Sequence, residues 1–374
     1  MTEGKLKAAV LGLNENGRLM LETASKLEHF EISAVADKDG SLAEKVAAQY
    51  ECAGFDDYRQ LISVMDSGLR ANDRKSSEDR ENGEENENVS KIGCLLVAAG
   101  MHSCDEYVRM AMKKKINVLK LAPVARNFEE AAELVRLAEE QDVKFAIGNP
   151  GRFAQSYLVL RQFLQEVKIE NVFLITAFCN AGDPKRPVWQ TDPKLAGGGV
   201  LLHNCYKIID QIILNFSAPE QIYSLNTNSA GDRQQRLYLT EDTAVVTMKF
   251  SDTLSGNLIA SRRGGMGPEE EFLKIYGKDK ILTVTNTQLT VSDGLSDKSK
   301  KFKYEDDESA WYTALLENFA MGILKPNDNK LGSSGRENLV NMAVIESAYL
   351  SARTAMPEEP GKMLQMAQIE QTEI

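Results

Sequence analysis

Between Leu6 and Gly148 short apolar runs alternate with stretches of helical spacing, and this grammar limits the fold more than any other feature of the chain. Leu6–Leu11 is largely apolar and ends at a glycine, which predicts a strand buried on both faces. From Gly17 to Leu27 the residues Leu19, Met20, Ala24 and Leu27 carry helical spacing. Ile32–Ala36 predicts a second strand, closed by Asp37. Ser41, with Glu44 three residues on, predicts a capped helix running to Tyr50. Cys94–Ala98 predicts a strand, Asp105–Lys114 a helix, and Val118–Leu121 a strand stopped by Pro123. Asn127 with Glu130 predicts another capped helix through Glu140, and Val143–Ile147 the last strand. Parallel strands are joined by crossovers, so the expectation is an α/β Rossmann domain over residues 1–150, with helices on both faces of a parallel sheet.

One stretch interrupts this grammar. DRKSSEDRENGEENEN, residues 73–88, holds no apolar side chain and cannot bury enough surface to offset its ordering entropy. It predicts a mobile polar insert over 66–91: a solvated insertion, or a docking segment for a partner.

After Arg152 the grammar changes. Ala154–Glu166 has helical spacing. Strand-like segments then follow at Val172–Phe178, Ile222–Leu225, Ala244–Phe250, Leu258–Arg262, Phe272–Tyr276, Ile281–Val284 and Leu289–Val291. Helices are expected at Gly199–Phe216, Ala310–Leu324 and Arg336–Thr354. Residues 151–374 are therefore expected to form an α+β domain with a large, mostly antiparallel open sheet. One face would carry helices and the other would be available for subunit pairing.

Composition narrows the function classes. A length of 374 residues suits two domains. The net charge of −11 removes any general attraction to nucleic acid or to an anionic membrane. No apolar run has the length of a membrane span, and the first residues lack a secretory pattern. The five cysteines are scattered without a CxxC pair, so reduced thiols in a cytoplasmic protein are expected. Three histidines without HxxxH or HExxH spacing give no metal site.

Gly12-Leu13-Asn14-Glu15-Asn16-Gly17 joins the first strand to the first helix. A pyrophosphate needs a tight turn, close backbone approach and a helix N-terminus aimed at it. Gly12 and Gly17 supply the outer glycines of GxGxxG, and Asn14, which tolerates left-handed backbone, replaces the middle one. Asp37, about twenty residues on, can accept from ribose hydroxyls and repels a 2′-phosphate. It can equally be a turn residue. NAD is the expected cofactor, and Lys38 beside it leaves room for NADP.

From these residues onward the chain resembles the glucose–fructose oxidoreductase / inositol dehydrogenase / rhizopine-catabolism (Gfo/Idh/MocA) family. The similarity runs in order through Ala34–Asp39, Val97–Cys104, Ala138–Asn149 with Arg152-Phe153, Trp189 with Asp192–Gly199, Glu241–Ala244, Tyr276-Gly277, Asn318-Phe319 and Ser347–Thr354. The resemblance implies two domains, oxidation of a sugar or polyol hydroxyl or reduction of the ketone with NAD(H) or NADP(H), and homodimers or homotetramers formed through the large sheet. It places Ala99, Gly100, Met101, Leu121 and Ala122 beside the cofactor, with His102 on the same loop. Arg152 and Trp189 fall on the substrate side, each with a structural alternative.

The family's catalytic identities are exchanged. Ala122 stands at the lysine of its Glu-Lys-Pro motif, and Gly100, Met101 and Cys104 replace a Pro, an Asn and a His. His203 and Lys207 occupy the positions of its Asp and His. Four residues apart, they would share one helix face. The resemblance suggests that Lys207 keeps His203 neutral and settles the alkoxide while His203 takes the proton. Lys120, two residues before Ala122, either reaches toward the vacated lysine position or snorkels to the surface. Two functions follow: an NAD(P)-dependent oxidoreductase of a sugar, polyol or keto-sugar, or a non-catalytic dinucleotide- or sugar-binding relative serving as sensor or partner subunit.

Overall fold

The computed structural model describes residues 5–67, 92–166, 172–182, 187–229, 239–263, 267–294, 296 and 298–367. The polar insert expected at 66–91 lies almost wholly outside them. The chain divides into two compact units. The first comprises residues 1–121, 133–148 and 312–335, and the second 122–132, 149–311 and 336–374.

In the first unit, β1 (Leu6–Leu11), β2 (Phe30–Ala36), β3 (Ala53–Phe55), β4 (Cys94–Val97), β5 (Asn117–Leu121) and β6 (Phe145–Gly148) form one parallel sheet in the order β3-β2-β1-β4-β5-β6. Ala8 to Leu11 and Cys94 to Val97 have no exposure, as strands covered on both faces require. The order reverses between β1 and β4. In sheets of this kind a ligand crevice opens at the carboxyl ends of the strands flanking that point. Chain segment 333–334 adds a further bridge beside β6, with Ile147 N–H donating to Ser333 O at 2.9 Å.

The helices interleaved with this sheet are α1 (Glu15–Lys26), α2 (Gly40–Gln49), α3 (Tyr58–Ser67), α4 (Met101–Lys113) and α5 (Phe128–Glu140). Two boundaries differ from the sequence expectation. Helix α2 is capped by Asp39, whose carboxylate accepts from Leu42 N–H at 3.1 Å, and not by Ser41. Asp39 takes the cap because it already stands at the end of the Asp37 turn, two residues nearer the strand than Ser41. Helix α4 begins at Met101, four residues early, because Met101 and Cys104 bury on its inner face with Val108, Ala111 and Met112. Asn127 caps α5 as expected, accepting from Glu130 N–H at 2.9 Å.

The second unit is built on an eight-stranded sheet in the order β14-β13-β12-β11-β7-β10-β9-β8. Its strands are β7 (Leu174–Asn180), β8 (Gln221–Thr227), β9 (Thr243–Lys249), β10 (Ser255–Ser261), β11 (Glu270–Tyr276), β12 (Lys280–Thr285), β13 (Gln288–Asp293) and β14 (Ser299–Lys303). All pairs are antiparallel except β7–β10. Alternate residues such as Ile222, Val246, Leu258, Leu273 and Leu282 are buried. Its helices are α6 (Gln155–Glu166), α7 (Pro193–Ala196), α8 (Val200–His203), α9 (Tyr206–Phe216), α11 (Gly335–Thr354) and α12 (Pro360–Met366), whereas most of α10 (Glu308–Leu324) belongs to the first unit.

The single helix expected over Gly199–Phe216 is broken. Cys205 N–H bonds back to Val200 O at 2.9 Å and closes α8, and Cys205 O then starts α9 by accepting from Ile209 N–H. Asn204 and Cys205, both weak helix formers, sit at the break.

Candidate functional site

The dinucleotide half of the site lies at the reversal point of the parallel sheet. Gly12 ends β1 with φ +92°, and a Cβ there would come within 2.5 Å of Ala99 N. A Cβ on Gly17 would meet Gly12 O at 2.0 Å. Both glycines are therefore demanded by the close passage of the strand end, the first turn of α1 and the Ala98–Gly100 segment. Asn14 does not use the left-handed conformation that the sequence suggested. Its φ is −61° with extended ψ, and it caps α1 by accepting from Gly17 N–H at 2.9 Å. Its amide also donates to Ala98 O at 2.8 Å, tying the ends of β1 and β4 together. The side chain is thus engaged by backbone groups on both sides, and Asn14, Glu15 and Asn16 are all exposed.

Asp37 is held by the same turn. One carboxylate oxygen accepts from Leu13 N–H at 2.6 Å and the other from Asp39 N–H at 3.0 Å. Each oxygen keeps a second lone pair, so the fixed carboxylate still has capacity for a ribose diol. Lys38 Nζ lies 5.9 Å from the Tyr58 ring centroid. Burial, then the charge of Lys38, pushes the His102 imidazole below its ordinary range. A glycine-lined strand–turn–helix with an acid at the next strand end fits a dinucleotide. Gly12 to Gly17, Asp37, Lys38 and Ala99 to Met101 are the residues that would hold it.

Lys120 corrects one expectation. It does not snorkel: its side chain is 1% exposed and its ammonium pairs with Asp105 at 3.0 Å. A buried carboxylate on α4 met the lysine, and a paired buried charge costs less than an unpaired one. Ala122 follows Leu121 directly after β5, and neither brings an ionisable side chain.

In the second unit, His203 ends α8 and Lys207 sits in the first turn of α9, so the break falls between them. His203 Nε2 lies 3.0 Å from Ala196 O, and its ring meets Trp189 edge-on at 5.6 Å between centroids. A carbonyl oxygen only accepts, so Nε2 carries a proton. Lys207 instead pairs with Glu271, Nζ to Oε1 3.2 Å, with side-chain exposures of 42% and 10%. Burial pushes the Lys207 ammonium down, but the Glu271 charge and hydrogen bond more than offset this, and the net direction is up. Burial pushes Glu271 up against the opposing pull of Lys207.

The pair lines a cavity of about 350 Å³ with Asn180, Asn204, Asn286 and Glu270. Glu271 was invisible in the sequence because the apolar alternation starts at Phe272, whereas β11 begins two residues earlier. A larger groove, about 990 Å³, runs past Arg126, Lys194, Glu241 and Tyr349. Of the two, only the smaller, more polar cavity is lined by Lys207, and His203 and Trp189 line neither.

Arg152 is bound into the fold. Its Nε and Nη2 each lie 2.6 Å from an oxygen of Asp210, which also accepts from Asn149 and Asn341. Burial opposes its charge, but Asp210 raises it further and fixes the guanidinium as a cation. Among the described residues no group of three His, Cys, Asp or Glu could hold a metal. No described helix is long and apolar enough to cross a membrane.

Comparison with known proteins agrees with this architecture. Residues 6–149 match the oxidoreductase family's NAD-binding Rossmann fold, and residues 161–359 its C-terminal alpha/beta domain. No curated protein matches the chain. Solved structures do. An oxidoreductase from Agrobacterium radiobacter in complex with NAD+, L-tartaric acid and magnesium shares 16% identity at a TM-score of 0.76, over 96% of this chain and 100% of that one. An aldose-aldose oxidoreductase from Caulobacter crescentus, complexed with glycerol, shares 16% at 0.77, over 95% and 100%. The WlbA dehydrogenase from Bordetella pertussis, in complex with NADH and UDP-GlcNAcA, shares 13% at 0.74, over 95% and 99%. At these identities the likeness concerns the fold. The first unit is an NAD-binding Rossmann domain. With both of its domains matched in order, the chain belongs to the Gfo/Idh/MocA oxidoreductase family.

Proposed function

We propose that this protein is an NAD(H)-dependent oxidoreductase acting on a hydroxyl or ketone of a sugar, polyol or keto-sugar, with His203 and Lys207 handling proton and charge. The observation that carries it is the half-exposed Lys207 ammonium, neutralised by Glu271, at a polar cavity on the segment that also bears His203. The glycerol bound by one structural relative, a neutral polyol, supports the substrate class. Bound NAD supplies the hydride acceptor.

Lys207 stays protonated at neutral pH, since its net direction is up from 10.5. It therefore acts as an electrostatic partner of a developing alkoxide, and His203 takes the hydroxyl proton. Trp189, edge-on to His203, restricts the ring's rotation and offers an apolar surface to a sugar face. Asp37 favours NAD over NADP. The test is nicotinamide absorbance with NAD(H) and NADP(H) against a polyol and keto-sugar panel. Turnover with NAD(H) is expected. Single His203→Ala and Lys207→Ala changes should each lower it by about 10²-fold or more, and unchanged turnover in both would remove the assignment.

Ala122 favours a second reading. With no ionisable group at the family's lysine position, the protein would bind dinucleotide without turning anything over. Tight NADH binding with no turnover across the panel selects it.

The pairing partner of the large sheet is a second copy of this chain. Leu225, Val245 and Ile259 stand in register across β8, β9 and β10, and Phe178 and Phe272 continue the row across β7 and β11. Leu225 is 58% exposed and Val245 and Ile259 are each 40% exposed, so the row is a contiguous apolar stripe on an open sheet face. Such a stripe suits isologous pairing. Val245→Lys is expected to convert a dimer or tetramer to a smaller species by light scattering, and an unchanged mass would remove this face as the interface.

A further inference from the structure

The cavity beside Lys207 carries information about what it accepts. Two of its lining residues hold buried side-chain oxygens without a hydrogen-bond partner: Glu271 Oε2 and Asn286 Oδ1. Both atoms are acceptors. A buried acceptor left unmade is costly, and only a donor can satisfy it. Hydroxyl and ammonium groups donate, whereas ionised carboxylate and phosphate oxygens only accept. The charges agree. Glu269, Glu270 and Glu271 line the cavity with one cation, Lys207, whose charge is met by Glu271 at 3.2 Å. Asn180, Asn204, Thr285 and Thr287 add neutral polar surface suited to a hydroxylated ring.

We infer that this cavity binds the hydroxyl- or ammonium-bearing end of the ligand through Glu271 and Asn286, and excludes carboxylate and phosphate from that end. The inference rests on the oxidoreductase reading only in taking that ligand to be the substrate. With Glu271 ionised beside it, Lys207 gives the cavity no net positive charge to draw in a ligand anion, while its ammonium can still donate to an alkoxide that forms against it. Glu269 and Glu270, exposed around the cavity, add long-range repulsion. Discrimination therefore comes from an acidic lining with unmet acceptors, and one substitution can reverse it. Glu271→Gln keeps the shape, removes one negative charge and leaves Lys207 uncompensated.

The test is ligand binding by the full-length protein, with and without NADH, followed by saturation-transfer NMR at pH 7. The probes are myo-inositol, D-glucosamine, D-glucuronate and D-glucose 6-phosphate. Inositol and glucosamine are expected to bind, and the two anions to bind about tenfold more weakly or not at all. Glu271→Gln should narrow that gap by about tenfold, and Asn286→Ala should weaken inositol while leaving the anions unaffected. Folding of both variants is checked by thermal melting, and Asn286→Ala keeps the inference testable if the Gln variant does not fold. Anions binding as well as inositol, no probe binding at all, or an unchanged ratio in a folded Glu271→Gln protein would each overturn it. Selective binding without any turnover leaves this inference standing and removes the oxidoreductase reading. Turnover that prefers glucuronate does the reverse.

Discussion

Each unit contains a lysine paired to a carboxylate, and the two pairs are alike in distance but opposite in setting. Lys120 and Asp105 meet at 3.0 Å with side chains 1% and 9% exposed. Lys207 and Glu271 meet at 3.2 Å, but the lysine is 42% exposed and the carboxylate stands in a cavity wall. The first pair is closed: β5 and α4 pack over it, and Asp105 Oδ2 has no hydrogen-bond partner. Its attraction is spent on offsetting desolvation, which leaves it a structural element. The second pair is open on the lysine side, so its charge can respond to a ligand. A short N–O distance does not tell the two settings apart, whereas access to the ammonium does.

Removing one partner of the closed pair is the strongest way to test this contrast. Lys120→Met strands Asp105 in the core and is expected to destabilise the protein by about 3–5 kcal/mol, a fall in Tm of roughly 10 °C. The double change with Asp105→Leu should recover most of that loss, because an apolar pair needs no desolvation. Calorimetry on the three proteins decides it, and a single mutant with an unchanged Tm would show that Lys120 reaches water. The open pair should behave differently. Glu271→Gln, which leaves the half-exposed Lys207 able to reach water, is expected to cost under about 1 kcal/mol of stability. A loss as large as that of Lys120→Met would place both pairs in the same structural class.

The contrast also explains what could be read from the sequence. Strands with apolar residues at every position, such as Leu6–Leu11 and Cys94–Val97, announce burial on both faces, and the Rossmann order follows from them. The short β3 and the lysine-rich β14 lack that signature and were not foreseen. The partner of Lys120 was equally hidden. Asp105 is fifteen residues away on another element, and no spacing rule links a strand lysine to a helix aspartate. His203 and Lys207 were legible as titratable groups, but a shared helix face assumed an unbroken helix, and the Cys205–Val200 hydrogen bond ends that helix between them. Glu271 was missed because strand pairing, not hydrophobic pattern, extends β11 through it: Glu271 pairs with Cys179 in register. Arg152 stood out as a charge near the domain junction, yet only the fold shows that Asp210 already holds it.

The smallest expected effect is one of pH, and it bears on the open pair alone. The folded protein raises Lys207 above 10.5, so the stability its charge contributes is present below that value and lost only as the pH climbs through the higher folded value. Glu271 is raised above 4.5 by burial, so it takes up its proton earlier on acidification than an ordinary glutamate does. As the pH falls through that raised value the pair loses its negative member, and Lys207 faces the cavity uncompensated. The pair should therefore leave its mark on the acid side of the pH profile of kcat/KM, above 4.5, and that limb should be absent in Glu271→Gln. No basic limb belonging to Lys207 should appear below about 10.5. If a limb near pH 8 appears and Lys207→Arg moves it upward, the lysine is losing its proton in the working range. It would then be the base rather than the fixed charge, and the roles of His203 and Lys207 would have to be exchanged.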